Sequence, residues 1–184
     1  MSRTDLEAED AYGTRRRLAW FARREAALNL AGNANRAGPA IERYLSMFRD
    51  ALNLNGGTTE FSDTSVGFSW CCSFVFYCCR HSGFEIEPKP DKTFRWTLAA
   101  VPAWRNWAEK DGTFVLASST TPQLGDIAIL NNADVGKPMD HIGIVVGTAD
   151  DCFLSAEGNN ANRTGVFRRE VGMVEGYVRL RERA

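Results

Sequence analysis

The architecture of this chain turns on one run, Gly67-Phe68-Ser69-Trp70-Cys71-Cys72-Ser73-Phe74-Val75-Phe76-Tyr77-Cys78-Cys79-Arg80-His81-Ser82-Gly83. No charged residue falls between Trp70 and Cys79, so a helix formed here reserves no face for water and belongs in the middle of a domain. Gly67 and Gly83 bracket it as entry and stop. Cys71 falls in the first turn, where unpaired backbone N–H groups and the positive end of the macrodipole favour a thiolate over a thiol. A nucleophilic cysteine belongs at such a position.

On the N-terminal side the pattern is helical. Leu18, Trp20, Phe21, Ala22 and Leu28 lie among Arg15, Arg16, Arg17, Arg23, Arg24 and Glu25, which predicts a helix over 14–30 with a charged outer face. Gly32-Asn33-Ala34-Asn35 breaks it. Gly38-Pro39 then opens a second helix whose Ile41, Tyr44, Leu45, Phe48 and Leu52 share one stripe, and Asn55-Gly56-Gly57 ends it. Met1 to Tyr12 is polar and acidic and is expected to fray. Beyond the central helix, a short extended piece at 84–86 and the stiff connector Pro88-Lys89-Pro90 lead to a further helix over 98–110, with Val101, Trp104, Trp107 and Ala108 on one side.

The pattern changes after Pro122. Runs at 126–130, 141–147, 152–157, 165–169 and 176–180 are rich in β-branched and aromatic residues and are joined by Gly, Asn and Asp loops, which predicts an antiparallel meander. The expected fold class is therefore α+β: N-terminal helices and the cysteine-bearing helix packed on an antiparallel sheet of about five or six strands. At 184 residues, with no internal repeat and no linker, the chain reads as a single domain over 1–184, with 1–40 as a helical N-terminal extension.

Lysine and arginine number 22 against 23 aspartates and glutamates, so the net charge of -1 provides no basic footprint for nucleic acid or anionic lipid. No apolar stretch approaches the roughly 18 residues of a membrane span, and no signal-peptide pattern opens the sequence. The expectation is a monomer made in the cytoplasm without a signal peptide, reaching a periplasm or cell wall by another route if at all, with no nucleic-acid or membrane partner. Of the five cysteines, four form the adjacent pairs Cys71-Cys72 and Cys78-Cys79, which are poorly placed to bridge each other; reduced thiols are expected. Cys72, Cys78, Cys79 and Cys152 read as small core hydrophobes. The two-residue gap of paired zinc ligands is missing, and Glu60 with Asp63 does not make a calcium loop, so neither metal nor cofactor is expected.

A thiol nucleophile needs a base in hydrogen-bond reach and a third group to orient that base. The chain has two histidines. His81 lies about three helical turns from Cys71, roughly 15 Å along the axis, which is too far. His141, opening the most apolar strand, is the remaining base. A hairpin turning near Ala149 places Glu157 directly across from His141, and Glu157 and Asn159 alternate to one face, so either can be the orienting group. Asp126, in a Gly-Asp turn, reads as a structural residue bonded to local backbone.

Four blocks in this order, Trp70-Cys71-Cys72-Ser73-Phe74-Val75, Gly125-Asp126-Ile127-Ala128-Ile129, His141-Ile142-Gly143-Ile144-Val145-Val146-Gly147 and Glu157-Gly158-Asn159, resemble the papain-like amidases of bacterial cell walls. The similarity is greatest to the CHAP type (cysteine, histidine-dependent amidohydrolase/peptidase) and its NlpC-type relatives, over about Ile41 to Leu180. The resemblance implies Cys71 as nucleophile, His141 as base, and Glu157 and Asn159 as orienting and polar residues; Trp70 and Ser69, which flank the cysteine on its N-terminal side, are expected beside the substrate. It also implies an amide hydrolase acting on peptidoglycan, or alternatively on another peptide, or a domain that keeps the fold without turnover. Cys72 stands where a small residue is usual, and the loop from Asn131 to Asp140 is long.

Overall fold

A computed structural model describes residues 13–131, 133 and 136–181. The expected fraying of residues 1–12 lies outside the described residues. Among the described residues, five α-helices precede the sheet: α1 (Thr14–Ala27), α2 (Glu42–Leu45), α3 (Arg49–Gly56), α4 (Cys71–His81) and α5 (Val101–Asp111). Six strands follow: β1 (Phe114–Leu116), β2 (Ile127–Leu130), β3 (His141–Thr148), β4 (Cys152–Asn160), β5 (Arg163–Glu170) and β6 (Val174–Val178). All pair antiparallel in one sheet of order β1-β6-β2-β3-β4-β5. The α+β architecture is the one the sequence pattern predicts.

Two details differ. The meander holds only from β2 to β5, because β6 crosses back to pair with β2 and with β1. The helix expected from Gly38 to Gly57 is two short helices, since the backbone at Phe48 leaves the helical region at φ -123° and ψ -6°. Its apolar stripe survives the break: Ile41, Tyr44, Leu45 and Phe48 are fully buried. The first forty residues also carry core, because Leu18, Ala19, Ala22 and Ala26 on α1 join the main apolar cluster and Asp126 accepts from Arg15 across 3.3 Å. Asp126 is fully buried, also holding Arg179 at 2.8 and 3.0 Å and the Gln123 N–H at 2.9 Å, so it fastens the turn before β2.

The central helix is as enclosed as its composition demands. Cys71 to Phe76, Cys78 and Cys79 are all buried, and its ring contacts run from Tyr44 on α2 to Phe74 and Tyr77. What sets its height above the sheet is Gly158 on β4. A methyl added there would lie 2.4 Å from Phe74 Cβ and 2.8 Å from the Trp70 ring, so only glycine lets α4 lie this close to β4. That contact fixes the start of the helix, and therefore Cys71, relative to the strands.

Trp70 is a strut. Its ring is fully buried, stacks on Tyr44 at 5.6 Å, and donates from Nε1 to Asn162 Oδ1 at 3.2 Å. Asn162, in the β4–β5 turn, in turn donates to the Gly32 and Asn33 carbonyls. Trp70 therefore has no surface to offer a substrate, and the expectation that it contacts one is corrected.

Gly158→Ala must push α4 off the sheet, because Phe74 Cβ is close to the main chain and cannot swing away. We expect a loss of about 1–3 kcal/mol in urea unfolding with an unchanged m-value. A variant as stable as wild type would contradict the close packing.

Candidate active site

Cys71 occupies the first position of α4 and is 4% exposed. Trp70, which precedes it, caps the helix without a side-chain hydrogen bond. The N–H groups of the first turn thus keep their donors directed at the end of the helix where the sulfur lies.

His141 is the first residue of β3, paired with Leu130 on β2. The long loop before it is folded by its own polar residues: Asn131 Oδ1 accepts from the Met139 N–H at 2.7 Å, and Asp140 accepts from the N–H groups of Ala133 and Lys137. The His141 ring is fully buried. Its Nε2 lies 2.9 Å from Glu157 Oε2, and its Nδ1 makes no formed hydrogen bond, leaving Nδ1 as the nitrogen available to sulfur.

Glu157, fully buried on β4, is the most heavily bonded group of the site. Arg169 on β5 holds it in a fork, with Nε at 2.8 Å from Oε1 and Nη2 at 2.7 Å from Oε2, and Asn160 Nδ2 donates to Oε2 at 3.0 Å. Glu157 is not directly across from His141 as the simple hairpin predicts. A bulge between Val145 and Gly147 shifts the β3–β4 pairing to Ile144 with Ala156, so Glu157 continues opposite Gly143 and reaches His141 along the diagonal. Gly143 is what makes this reach possible, since a Cβ there would sit 2.7 Å from Glu157 Cγ and 2.1 Å from Ser155 Oγ.

Asn159 does not share Glu157's role. The β4–β5 register shifts between Glu157 and Asn160, and Asn159 takes a left-handed φ of 59°, which breaks the alternation that had put both residues on one face. The result is a swap. Asn160 bonds the carboxylate, while Asn159 Nδ2 donates to Ser69 Oγ at 3.1 Å. Ser69 is exposed, and its Oγ is 4.0 Å from Cys71 Sγ. Because Ser69 accepts from Asn159, its own O–H is left to donate toward the sulfur or an incoming oxygen.

The electrostatics follow from these partners. Cys71 is driven well below the ordinary thiol value, first by a hydrogen bond from the Cys72 thiol and then by the neighbouring His141 ring and its charge, with burial opposing. Burial disfavours a charged imidazole, yet the Cys71 and Glu157 interactions outweigh it and raise His141 to about 10. Burial would also raise Glu157, but Arg169 and His141 hold it down to about 2. These directions describe a thiolate and an imidazolium beside an ionised glutamate. Cys72, Cys78 and Cys79 are pushed up by burial, so the remaining helix thiols stay neutral.

Arg169 and Asn160 are the site residues that the sequence reading missed. Arg169 pairs with Phe153, four residues from Glu157 along β4, so its reach depends on strand register rather than local spacing. His81 is remote in role as in sequence: it is exposed, bonded through Nδ1 to the Tyr77 carbonyl, and stacked on Phe21. Among the described residues no group of three or more His, Cys, Asp or Glu side chains could hold a metal ion. None of the described helices is long and apolar enough to cross a membrane.

A buried helix with a cysteine at its mouth, laid on an antiparallel sheet that supplies a histidine and an acid, defines the papain-like class of α+β domain. The chain belongs to the CHAP domain family, whose match covers residues 63–159, more than half of its 184 residues. This places it among amide-bond hydrolases of the amidase and peptidase kind. The match includes Cys71, His141, Glu157 and Asn159, whereas Arg169 lies beyond it. Comparison with curated proteins and with solved structures found no match.

A thiolate–imidazolium pair has a pH signature. Iodoacetamide alkylation of Cys71 should be fast at pH 6 and flat to near pH 10, whereas an ordinary thiol gains rate up to and through about pH 8.5. Removing the fork with Arg169→Met lets burial raise the Glu157 pKa, so the imidazolium loses its anion. The plateau should then narrow from both ends, by about one pH unit at each. A profile identical to wild type would show that the Arg169 fork does not act on the Cys71–His141 pair.

Proposed function

We propose that this protein is a thiol hydrolase of amide bonds that cuts bacterial peptidoglycan, either between muramic acid and the stem peptide or within the peptide. The observation that carries the hydrolase reading is the His141 ring, which has one nitrogen on the Glu157 carboxylate and the other unbonded, and which lowers the pKa of the Cys71 thiol. The wall substrate is supported by the family to which the chain belongs.

In the reaction the Cys71 thiolate attacks the amide carbonyl carbon. The carbonyl oxygen gains the negative charge and is received by the Cys71 backbone N–H and the Ser69 hydroxyl, which Asn159 steers. His141 passes its Nδ1 proton to the leaving amine as the C–N bond breaks, leaving a thioester on Cys71. The neutral imidazole then takes a proton from water, the hydroxide attacks the thioester, and the acid product leaves as the thiolate is restored. Glu157 keeps the imidazole in one orientation throughout and stays ionised, as its buried donors require.

A second reading, a cysteine peptidase whose substrate is not cell wall, is favoured by an apolar cavity that opens beside Ser69. Purified sacculi separate the two. Wild-type protein should release fragments with new amino and carboxyl ends detectable by mass spectrometry, and Cys71→Ala should release none. Equal fragment patterns from both proteins would overturn the nucleophile assignment. Intact sacculi together with cleavage of soluble peptides would favour the second reading.

A further inference from the structure

The cavity of about 240 Å³ beside Ser69 is apolar where Phe61, Phe68 and Trp96 line it, but Asn55, Thr97 and Ser69 belong to the same wall. Such a mixed wall suits a peptide whose small side chains rest on the rings while its polar groups meet hydroxyls and an amide. Ser69 Oγ is 4.0 Å from Cys71 Sγ, so a chain lying in the cavity is continuous with an amide presented to the sulfur. A cavity of this volume is about two residues of extended chain across, at roughly 3.5 Å each, which keeps any group on its rim close to the scissile bond.

Around Asn55 and Trp96 the rim carries charge. Asn55 Oδ1 accepts from Lys89 Nζ at 2.5 Å, and Asn55 Nδ2 donates to the Arg95 carbonyl at 3.0 Å, so one amide gathers two cations. The Arg95 guanidinium is held 3.7 Å over the Trp96 ring, a contact that uses none of its N–H groups. Among the described residues neither cation meets a carboxylate: Lys89 has the neutral amide of Asn55, and Arg95 has the face of Trp96. Their neighbours are paired, Lys92 with Glu87 and Lys110 with Asp91, each at 2.6 Å. Two uncompensated cations on one cavity raise its potential and favour an anionic group there.

The arrangement is built before any ligand arrives. Pro88 and Pro90 flank Lys89 and stiffen its backbone, and the Pro88 carbonyl accepts from the Leu98 N–H at 2.8 Å. Trp96 meets Phe94 edge-on at 5.8 Å. On another wall, Arg49 of α3 collects the carbonyls of Phe61, Asp63 and Val66 at 2.9 to 3.2 Å, and Phe61 stands edge-on to Phe68 at 5.7 Å.

We infer that Arg95 and Lys89 form a carboxylate subsite that engages an acidic group of the stem peptide within about two or three residues of the scissile amide. The inference rests on the peptidoglycan reading and on Cys71 as nucleophile, and it adds the feature of the wall that this protein reads: the free carboxylates that the stem peptide carries. Arg95 offers its fork of donors to both carboxylate oxygens, and Lys89 adds a point charge beside it. A carboxamide has nearly the shape of a carboxylate and none of its charge, so the subsite distinguishes the two.

Sacculi treated with a water-soluble carbodiimide and ammonium chloride, which turns free carboxylates into carboxamides, are compared with untreated sacculi. Initial rates of fragment release are measured at low ionic strength, where exposed charges are least screened. Amidation should slow the wild-type protein about fivefold or more, and should slow the double variant Lys89→Gln/Arg95→Gln less than about twofold. On untreated sacculi the double variant should itself be about as slow as wild type is on amidated sacculi, while neutral iodoacetamide labels its Cys71 at the wild-type rate. Equal slowing of both proteins by amidation, or none in either, would overturn the subsite and leave the wall reading standing. Loss of iodoacetamide labelling in the double variant would also overturn the subsite, because the two cations would then be holding the site together and not the substrate. No release from either preparation by the wild-type protein, with Cys71 still labelled, would overturn the wall reading and the subsite with it.

Discussion

A carboxylate cannot stay ionised inside a protein unless other groups replace the water it has lost, and Glu157 is such a carboxylate. Its two oxygens are satisfied by Arg169, Asn160 and His141, three groups from three different places in the sheet. The demand acts in both directions. Glu157 fixes the histidine ring through Nε2, and the ring so fixed leaves Nδ1 for the sulfur of Cys71. Each charge in the row is tolerable only because the next one is present: guanidinium, carboxylate, imidazolium, thiolate. Removing any member takes a partner from a buried neighbour, which is why the register of β3, β4 and β5 matters as much as the identity of the residues in the row.

Two glycines convert that requirement into a fold. Gly143 leaves the gap through which Glu157 reaches along the diagonal to His141, and Gly158 lets α4 settle onto β4 so that Cys71 arrives at the correct height. Both are close-approach positions, where what counts is the missing side chain rather than an unusual backbone angle. Trp70 and Asn162 then lock the helix mouth to the β4–β5 turn and to the segment at Gly32 and Asn33. The N-terminal helix is tied into the same body through its buried stripe and through Arg15 on Asp126.

Much of this was readable from residue order alone. A long uncharged run with cysteine in its first turn marks the central helix, and a chain with two histidines leaves one candidate once the helical distance to His81 is measured. The rest was hidden for identifiable reasons. β1 is three residues long, too short to show alternation. The partition of labour among Glu157, Asn159 and Asn160 depends on a register shift and a left-handed residue that the spacing does not announce. Arg169 lies in Arg168-Arg169, which reads as a solvated pair until pairing with β4 is known. Trp70 neighbours the cysteine, which suggests a place beside the substrate, whereas at the start of this buried helix its side chain is fully buried. Arg49, which organises the loop ahead of the cysteine, is a single arginine in an amphipathic helix and gives no local sign of the three carbonyls it gathers.

The proposed reaction depends throughout on an ion pair between Cys71 and His141. NMR of ring-labelled histidine, with His141 assigned by substitution, reports its protonation directly. His141 should remain an imidazolium through neutral pH and titrate near 10 in the wild-type protein, and its pKa should fall in Cys71→Ser, where the thiolate is gone. A His141 that titrates near the ordinary histidine value of about 6.5 in both proteins would contradict the ion pair and leave Cys71 a buried thiol with no base to activate it.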